Sequence, residues 1–167
     1  MDSIKKVENL IAQWVHDKGI YASKDLYKQA LKCNEEIGEA TGDILKGRDP
    51  RMELGDIFVT LVAQATVVDM ELISIPSYDI TSTREVEQYN NNELLGYMIL
   101  EIAMIMNDIS NSCYDKYTVH ANLHRAYILL DVLCGRVGTT LLECSIMAYE
   151  KISGRTGAMK DGVFVAS

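Results

Sequence analysis

The sequence predicts an all-α protein, an antiparallel helical bundle of about four to six helices, and three observations predict it. Apolar residues recur at spacings of three and four along most of the chain, the mark of helices with one buried face. Only two prolines occur, Pro50 and Pro76, and both stand where helices would begin or end. The 167 residues are 48% hydrophobic and 24% charged, the composition of one globular domain with enough chain to bury a sizeable core. A single domain over residues 1–167 is therefore expected, with a tail from about residue 155.

Ile4, Val7, Leu10, Ile11, Trp14 and Val15 form the first stripe, closed by Gly19. The second carries Leu26, Ala30, Ile37, Ala40, Ile44 and Leu45 on one side and ends at Gly47. Asp49 suits the cap of the third and Pro50 its first helical position, after which Ile57, Phe58, Leu61, Val62, Ala65 and Val68 continue the stripe. From Ser74 to Asn92 a polar stretch around Pro76 breaks the periodicity and reads as a long connection. A fourth helix follows from Leu94 to Ile109 and a fifth from Leu123 to Val137. Thr140-Leu-Leu-Glu143 has the spacing of a capping box and opens a last helix that runs to Gly154. The tail, Arg155 to Ser167, has no helical stripe.

Sixteen basic against twenty-four acidic residues give a formal charge of −8, which argues against an electrostatic grip on nucleic acid or on an anionic membrane. The apolar runs Ile57 to Val68 and Leu94 to Met106 fall short of the ~20 residues that span a bilayer. The start, Met1-Asp2-Ser3, has no basic and apolar leader pattern, so a cytosolic address is expected. Cys33, Cys113, Cys134 and Cys144 are scattered without a CxxC pair and read as reduced core cysteines.

The chemistry-bearing feature is Glu35-Glu36-Ile37-Gly38-Glu39 on the second helix, followed by Glu53-Leu54-Gly55-Asp56 near the start of the third. Residues three apart share a helical face, so Glu36 with Glu39 and Glu53 with Asp56 form two carboxylate pairs. The short link Lys46-Gly47-Arg48-Asp49 makes the two helices an antiparallel hairpin that brings the pairs opposite one another, with no sequence-local cation apparent to neutralise them. Four carboxylates in one small volume resist ionising together, and an all-oxygen ligand set suits Mg²⁺ or Mn²⁺. The alternative is a solvated acidic face. Against it stand the neighbouring apolar positions Ile37, Ala40, Ile57 and Phe58, and Gly38 and Gly55, whose cost of roughly 1 kcal/mol inside a helix close helix approach would explain.

Glu35-Glu36-x-x-Glu39, thirteen residues, then Glu53-x-x-Asp56 resembles the signature of the MazG-like all-α nucleoside triphosphate pyrophosphohydrolases, relatives of the dimeric dUTPases. The likeness extends to Gln29-Ala-Leu-Lys32, to Trp14, and to the segment from Ala148 through Lys151, Arg155 and Lys160 to Phe164, which is similar to the ending of phage-borne members. It covers residues 1–73 and 138–165 and leaves the middle uncovered. The resemblance implies hydrolysis of a (deoxy)nucleoside triphosphate between the α and β phosphates, giving the monophosphate and pyrophosphate. It implies Glu36, Glu39, Glu53 and Asp56 as ligands of two or three Mg²⁺ or Mn²⁺ ions, and Glu35 as the residue that helps to position or deprotonate the attacking water or binds a further metal. Lys32, Arg48, Arg51, Lys151, Arg155 and Lys160 are candidates for phosphate contacts, and Trp14 for stacking on the base. A homodimer or homotetramer is implied, in the cytoplasm, or the host cytoplasm for a phage protein. The phage-like tail points to the branch called MazZ and hence to dGTP and GTP. The alternatives are a dUTP- or dCTP-directed or broad housecleaning enzyme or, in another class, a non-catalytic helical module whose acidic face docks a basic partner.

Three weaker signals carry less. His120 and His124 are one turn apart, but the intervening residues lack the Glu of a zinc-binding HExxH motif, so they read as surface or core-edge histidines. Gly154-Arg-Thr-Gly157 lacks the preceding strand and following Lys-Ser/Thr of a P-loop. The cluster Met98, Met104 and Met106 reads as packing or an oligomer seam.

Overall fold

A computed structural model of the chain describes residues 2–73, 86–160 and 163–167, and most of these are helical. Helix α1 (Ile4–Asp17) begins where the Ser3 hydroxyl accepts the Lys6 amide proton, and it buries Val7, Ile11 and Val15. A single turn, α2 (Ile20–Ser23), leads to α3 (Leu26–Leu45), capped by the Asp25 carboxylate on the Lys28 amide at 3.1 Å. Gly47 has φ +65°, a left-handed conformation that glycine adopts without strain, and there the chain reverses into α4 (Arg51–Val67). Pro50 itself takes the cap position, so the helix starts one residue later than the sequence suggests, while Asp49 accepts the Arg51 amide proton at 3.1 Å.

Helix α4 is the hub. Every residue from Leu54 to Val67 is buried, because α1, α2 and α3 pack against it together with α6 (Lys116–Arg136) and α7 (Leu141–Ser153). A helix buried all round needs its polar side chains satisfied locally: Thr60 and Thr66 each donate to a carbonyl of the preceding turn, at 2.8 Å. Helix α5 (Asn91–Ser110) opens with a capping box between Asn90 and Glu93 and packs on α3 and α6. The Asp115 carboxylate caps α6 through the Tyr117 and Thr118 amides, so this helix starts seven residues before Leu123. The expected box of Thr140 and Glu143 opens α7.

Beyond the helices the tail forms an antiparallel hairpin, β1 (Gly157–Lys160) with β2 (Val163–Ala166), in the register Gly157↔Ala166 and Lys160↔Val163. The fold is thus mostly helical, with a two-stranded addition in the tail, for which the sequence predicts only that no helical stripe continues.

Several expectations change in detail. Leu45 is 68% exposed at the end of α3 instead of lying in the core. Cys33, Cys134 and Cys144 are buried free thiols, and burial pushes the Cys33 thiol up to about 12, whereas Cys113 is exposed. His120 Nε2 lies 2.8 Å from the Glu71 carbonyl and His124 Nδ1 3.3 Å from that of Leu72, which makes them core-edge anchors. Most of the expected 74–92 connection, residues 74–85, lies outside the described residues.

Candidate functional site

The antiparallel α3–α4 hairpin sets Glu36 against Glu53 and Asp56, and one carboxylate oxygen from each of the three lies within 4.8 Å of the others. Glu36 and Asp56 are buried and Glu53 is half-buried. Burial pushes the Glu36 carboxyl above its ordinary value, Asp56 and Glu39 add to the rise, and Lys32 opposes it. Glu53 is raised by burial and then by Asp56, with Lys151 opposing. Glu39 is exposed at the rim, close enough to act on both and outside the converging three.

The expectation of carboxylates without a local cation is corrected by two lysines. Lys32, one turn before the motif, places its ammonium 2.8 Å from Glu36 and 2.9 Å from Glu35. Burial favours its neutral amine, yet the bonds to Glu36 and Glu35 outweigh that and hold its pKa above the ordinary value. From α7, Lys151 reaches Asp56 at 2.5 Å. The first of these pairings is an i,i+3 and i,i+4 relation readable in the sequence; the second spans 95 residues and is not.

Glu36, Glu39 and Asp56 line a cavity of ≈ 220 Å³. Of the expected site residues, Trp14, Lys32, Glu36, Glu39, Asp56, Lys151 and Arg155 line it. Glu53 joins the triad from an outer groove that it shares with Glu35, Glu39 and Arg48. Glu35, held by Lys32, faces that groove and is not among the residues lining the cavity. Arg48 is paired with Asp43 and Arg51 with Asp49, both at the exposed α3–α4 turn, and Lys160 is exposed on β1; none of these three lines the cavity. Trp14 is partly buried: its indole N–H donates to the Ile152 carbonyl at 3.1 Å, while its ring meets Phe164 edge to face with centroids 5.6 Å apart.

Residues not among the expected site residues complete the lining: Gln29 two helical turns before Glu36, Val59, Thr60 and Ala63 beyond Asp56, Ile20 on α2, Ile152 on α7, and Phe164 on β2. Heptad spacing from Glu36 back to Gln29 and from Asp56 on to Ala63 was available in the sequence as a pointer to the same faces. Phe164 has no such periodic pointer; the segment similar to the phage-borne ending reaches it, but the hairpin that carries it is not predicted by a helical stripe.

Of the two glycines expected to permit close helix approach, one does so. A Cβ on Gly55 would lie 2.2 Å from the Cys144 carbonyl oxygen and 2.8 Å from the Ala148 Cβ, so Gly55 lets α7 approach α4 and brings Lys151 within reach of Asp56. Gly38 faces open space. The all-oxygen triad from two rigid helices fits a hard divalent cation, and its two lysines supply positive charge beside it. In comparisons with protein families, curated proteins and solved structures, nothing matches this chain.

Proposed function

We propose that the protein is a divalent-cation-dependent nucleoside triphosphate pyrophosphohydrolase, releasing the nucleoside monophosphate and pyrophosphate. The observation that carries this reading is one cavity whose lining combines the carboxylates Glu36, Glu39 and Asp56, the cationic Lys32, Lys151 and Arg155 and the aromatic pair Trp14 and Phe164, with Glu53 joining Glu36 and Asp56 from the adjoining groove. Glu36, Glu53 and Asp56 would hold the cation, with Glu39 at the rim as a fourth ligand. Mg²⁺ or Mn²⁺ bound there, two or three ions by the family resemblance, would offset phosphate charge and lower the pKa of the attacking water. Lys32, Lys151 and Arg155 would bind the phosphate chain, each as a donor to phosphate oxygens. Water oxygen bonds to the α-phosphorus, the bond from that phosphorus to the bridging oxygen breaks, and pyrophosphate leaves. By the resemblance, Glu35 would position or deprotonate that water or bind a further metal; Lys32 holds it at the outer groove beside the triad.

Turnover in ¹⁸O-water tests the register of attack: the label enters the nucleoside monophosphate and pyrophosphate stays unlabelled. Orthophosphate with the diphosphate as products would identify an ordinary phosphatase. The phage-like tail supports dGTP and GTP as preferred substrates, and kcat/KM across the eight common nucleoside triphosphates tests that; preference for dUTP or dCTP, or near-equal rates, refutes the guanine assignment alone.

One observation favours the non-catalytic reading. Lys32 and Lys151 already neutralise part of the acidic cluster, as purely structural ion pairs would. Thermal melting with and without Mn²⁺ plus a nucleoside triphosphate separates the two: a site that binds both raises Tm by mass action, and a flat response favours the interaction module.

A further inference from the structure

We propose that Cys134 and Cys144 are a redox-active thiol pair, which a small peroxide converts to an intrachain disulfide that repositions α7, the helix carrying Lys151 to the carboxylate site. The pair stands apart from the reaction proposed above and holds whatever chemistry the cavity performs. Cys134 lies in the last turn of α6 and Cys144 near the start of α7, and both are fully buried. The short connection between the helices folds them together. Gly138 turns the chain with φ +81°, and the Thr139 N–H then donates to the Cys134 carbonyl at 3.0 Å, closing the end of α6. The Thr139 hydroxyl lies 3.6 Å from Cys144 Sγ, and the Cys134 and Cys144 thiols hydrogen-bond each other. One residue thus holds the backbone of one cysteine and touches the sulfur of the other.

The two sulfurs differ in reactivity. The hydrogen bond from Cys134 favours the Cys144 thiolate against the opposing effect of burial and leaves that thiol below its ordinary value, while the same bond, with burial, holds Cys134 above its own. Cys144 is therefore the sulfur that attacks and Cys134 the one that resolves. The Cys144 thiolate bonds to one peroxide oxygen, the O–O bond breaks, and the other oxygen leaves as hydroxide, giving a sulfenic acid. The Cys134 sulfur then bonds to the sulfenic sulfur, the S–O bond breaks, and the departing hydroxide takes the Cys134 proton. The thiols lose two electrons and the peroxide becomes two waters. Burial selects the oxidant: neither sulfur is open to a bulky disulfide such as that of glutathione, whereas hydrogen peroxide is little larger than water. A disulfide is much shorter than a hydrogen-bonded contact between thiols, so its closure draws the start of α7 toward the end of α6. On that helix the Cys144 carbonyl and the Ala148 Cβ abut Gly55, and farther along Lys151 meets Asp56 and the Ile152 carbonyl accepts from Trp14.

Trypsin cleaves after Arg136, between the two cysteines, so a disulfide joining them appears as a linked peptide pair in a non-reducing mass-spectrometric map. Treated with hydrogen peroxide, the full-length wild-type protein should yield that pair with Cys33 still a thiol. Trp14 is the sole tryptophan and is bonded to α7 through Ile152, so its emission should shift on oxidation and return with dithiothreitol. Oxidised glutathione should modify exposed Cys113 and leave the pair reduced. In Cys134→Ser the reaction should stop at the Cys144 sulfenic acid, trapped by dimedone, with no linked peptides and no reversible shift in emission. The wild-type protein alone decides against the proposal in either of two ways. Consumption of Cys113 while Cys134 and Cys144 remain thiols overturns the pair, and linked peptides with unaltered Trp14 emission overturn its action on α7.

Discussion

Glu36 shows how a single side chain is set by its surroundings. Burial and the neighbouring Asp56 and Glu39 disfavour its charged form, and the Lys32 ammonium at 2.8 Å restores part of that cost. A carboxyl whose folded pKa is raised holds its proton more tightly in the folded state, so the stability it contributes is full below the unfolded value of about 4.5 and is lost as pH rises through the folded value. Glu53 acts in the same direction. The metal-free protein should therefore lose stability from these two groups as pH rises above about 4.5, and Glu36→Gln should raise Tm more at neutral than at acidic pH. Differential scanning fluorimetry of both proteins checks this; a Glu36→Gln increment independent of pH would refute the raised pKa. The same substitution, or Glu53→Gln or Asp56→Asn, should lower Mg²⁺-dependent turnover by at least about 100-fold with the helical circular dichroism intact, since even partners of metal ligands cost about 10–100-fold. Near-normal turnover in any two of the three would defeat the ligand assignment.

At the scale of elements, the approach of α7 to α4 at Gly55 is the contact on which the cationic side of the site depends. With the Cys144 carbonyl 2.2 Å from a would-be Cβ, Gly55→Ala requires the two helices to separate, because backbone cannot rotate away as a long side chain can. The expected cost is about 1–3 kcal/mol or more, read as a lower urea midpoint. Lys151 would also move away from Asp56, so phosphate affinity should fall along with stability. Gly38→Ala, three residues from Glu35 on the open face of α3, should instead stabilise by roughly 0.5–1 kcal/mol, the gain of replacing glycine inside a helix. Equal effects of the two substitutions would show that the α4–α7 contact is not the constraint.

At the scale of the molecule, burial of α4 on all sides leaves α5 with a face that nothing among the described residues covers. Leu100 is 51% exposed and Met104 42%, with exposed Gly96 and Ala103 on the same side, and Glu101, the one charge between Glu93 and Asp108, turned away to Arg125. On a chain of net charge −8, an uncharged apolar face is where two copies meet without like-charge repulsion. A homodimer through α5 is the oligomer we propose, and Leu100→Glu should convert it to a monomer by analytical ultracentrifugation. A wild-type protein that sediments as a monomer at micromolar concentration would refute it. Among the described residues no helix is long and apolar enough to cross a membrane.

Spacing alone determined that Glu36, Glu39, Glu53 and Asp56 belong to one region, because helical periodicity and a short glycine turn fix which side chains face each other across a hairpin. It determined the capping box at Thr140 as well, an interaction within one turn, whereas the pairing of Lys32 with the motif, equally local, corrects the expectation of carboxylates without a nearby cation. Tertiary packing decided which three of the carboxylates converge and that Lys151 meets Asp56 from 95 residues away. It also separated Gly55 from Gly38, glycines with the same sequence argument and opposite surroundings, and it carried Phe164 to Trp14 from the far end of the chain. The physical reason is range: periodicity and capping act over one or two helical turns, while contacts between distant segments depend on how whole helices pack, which no local pattern encodes.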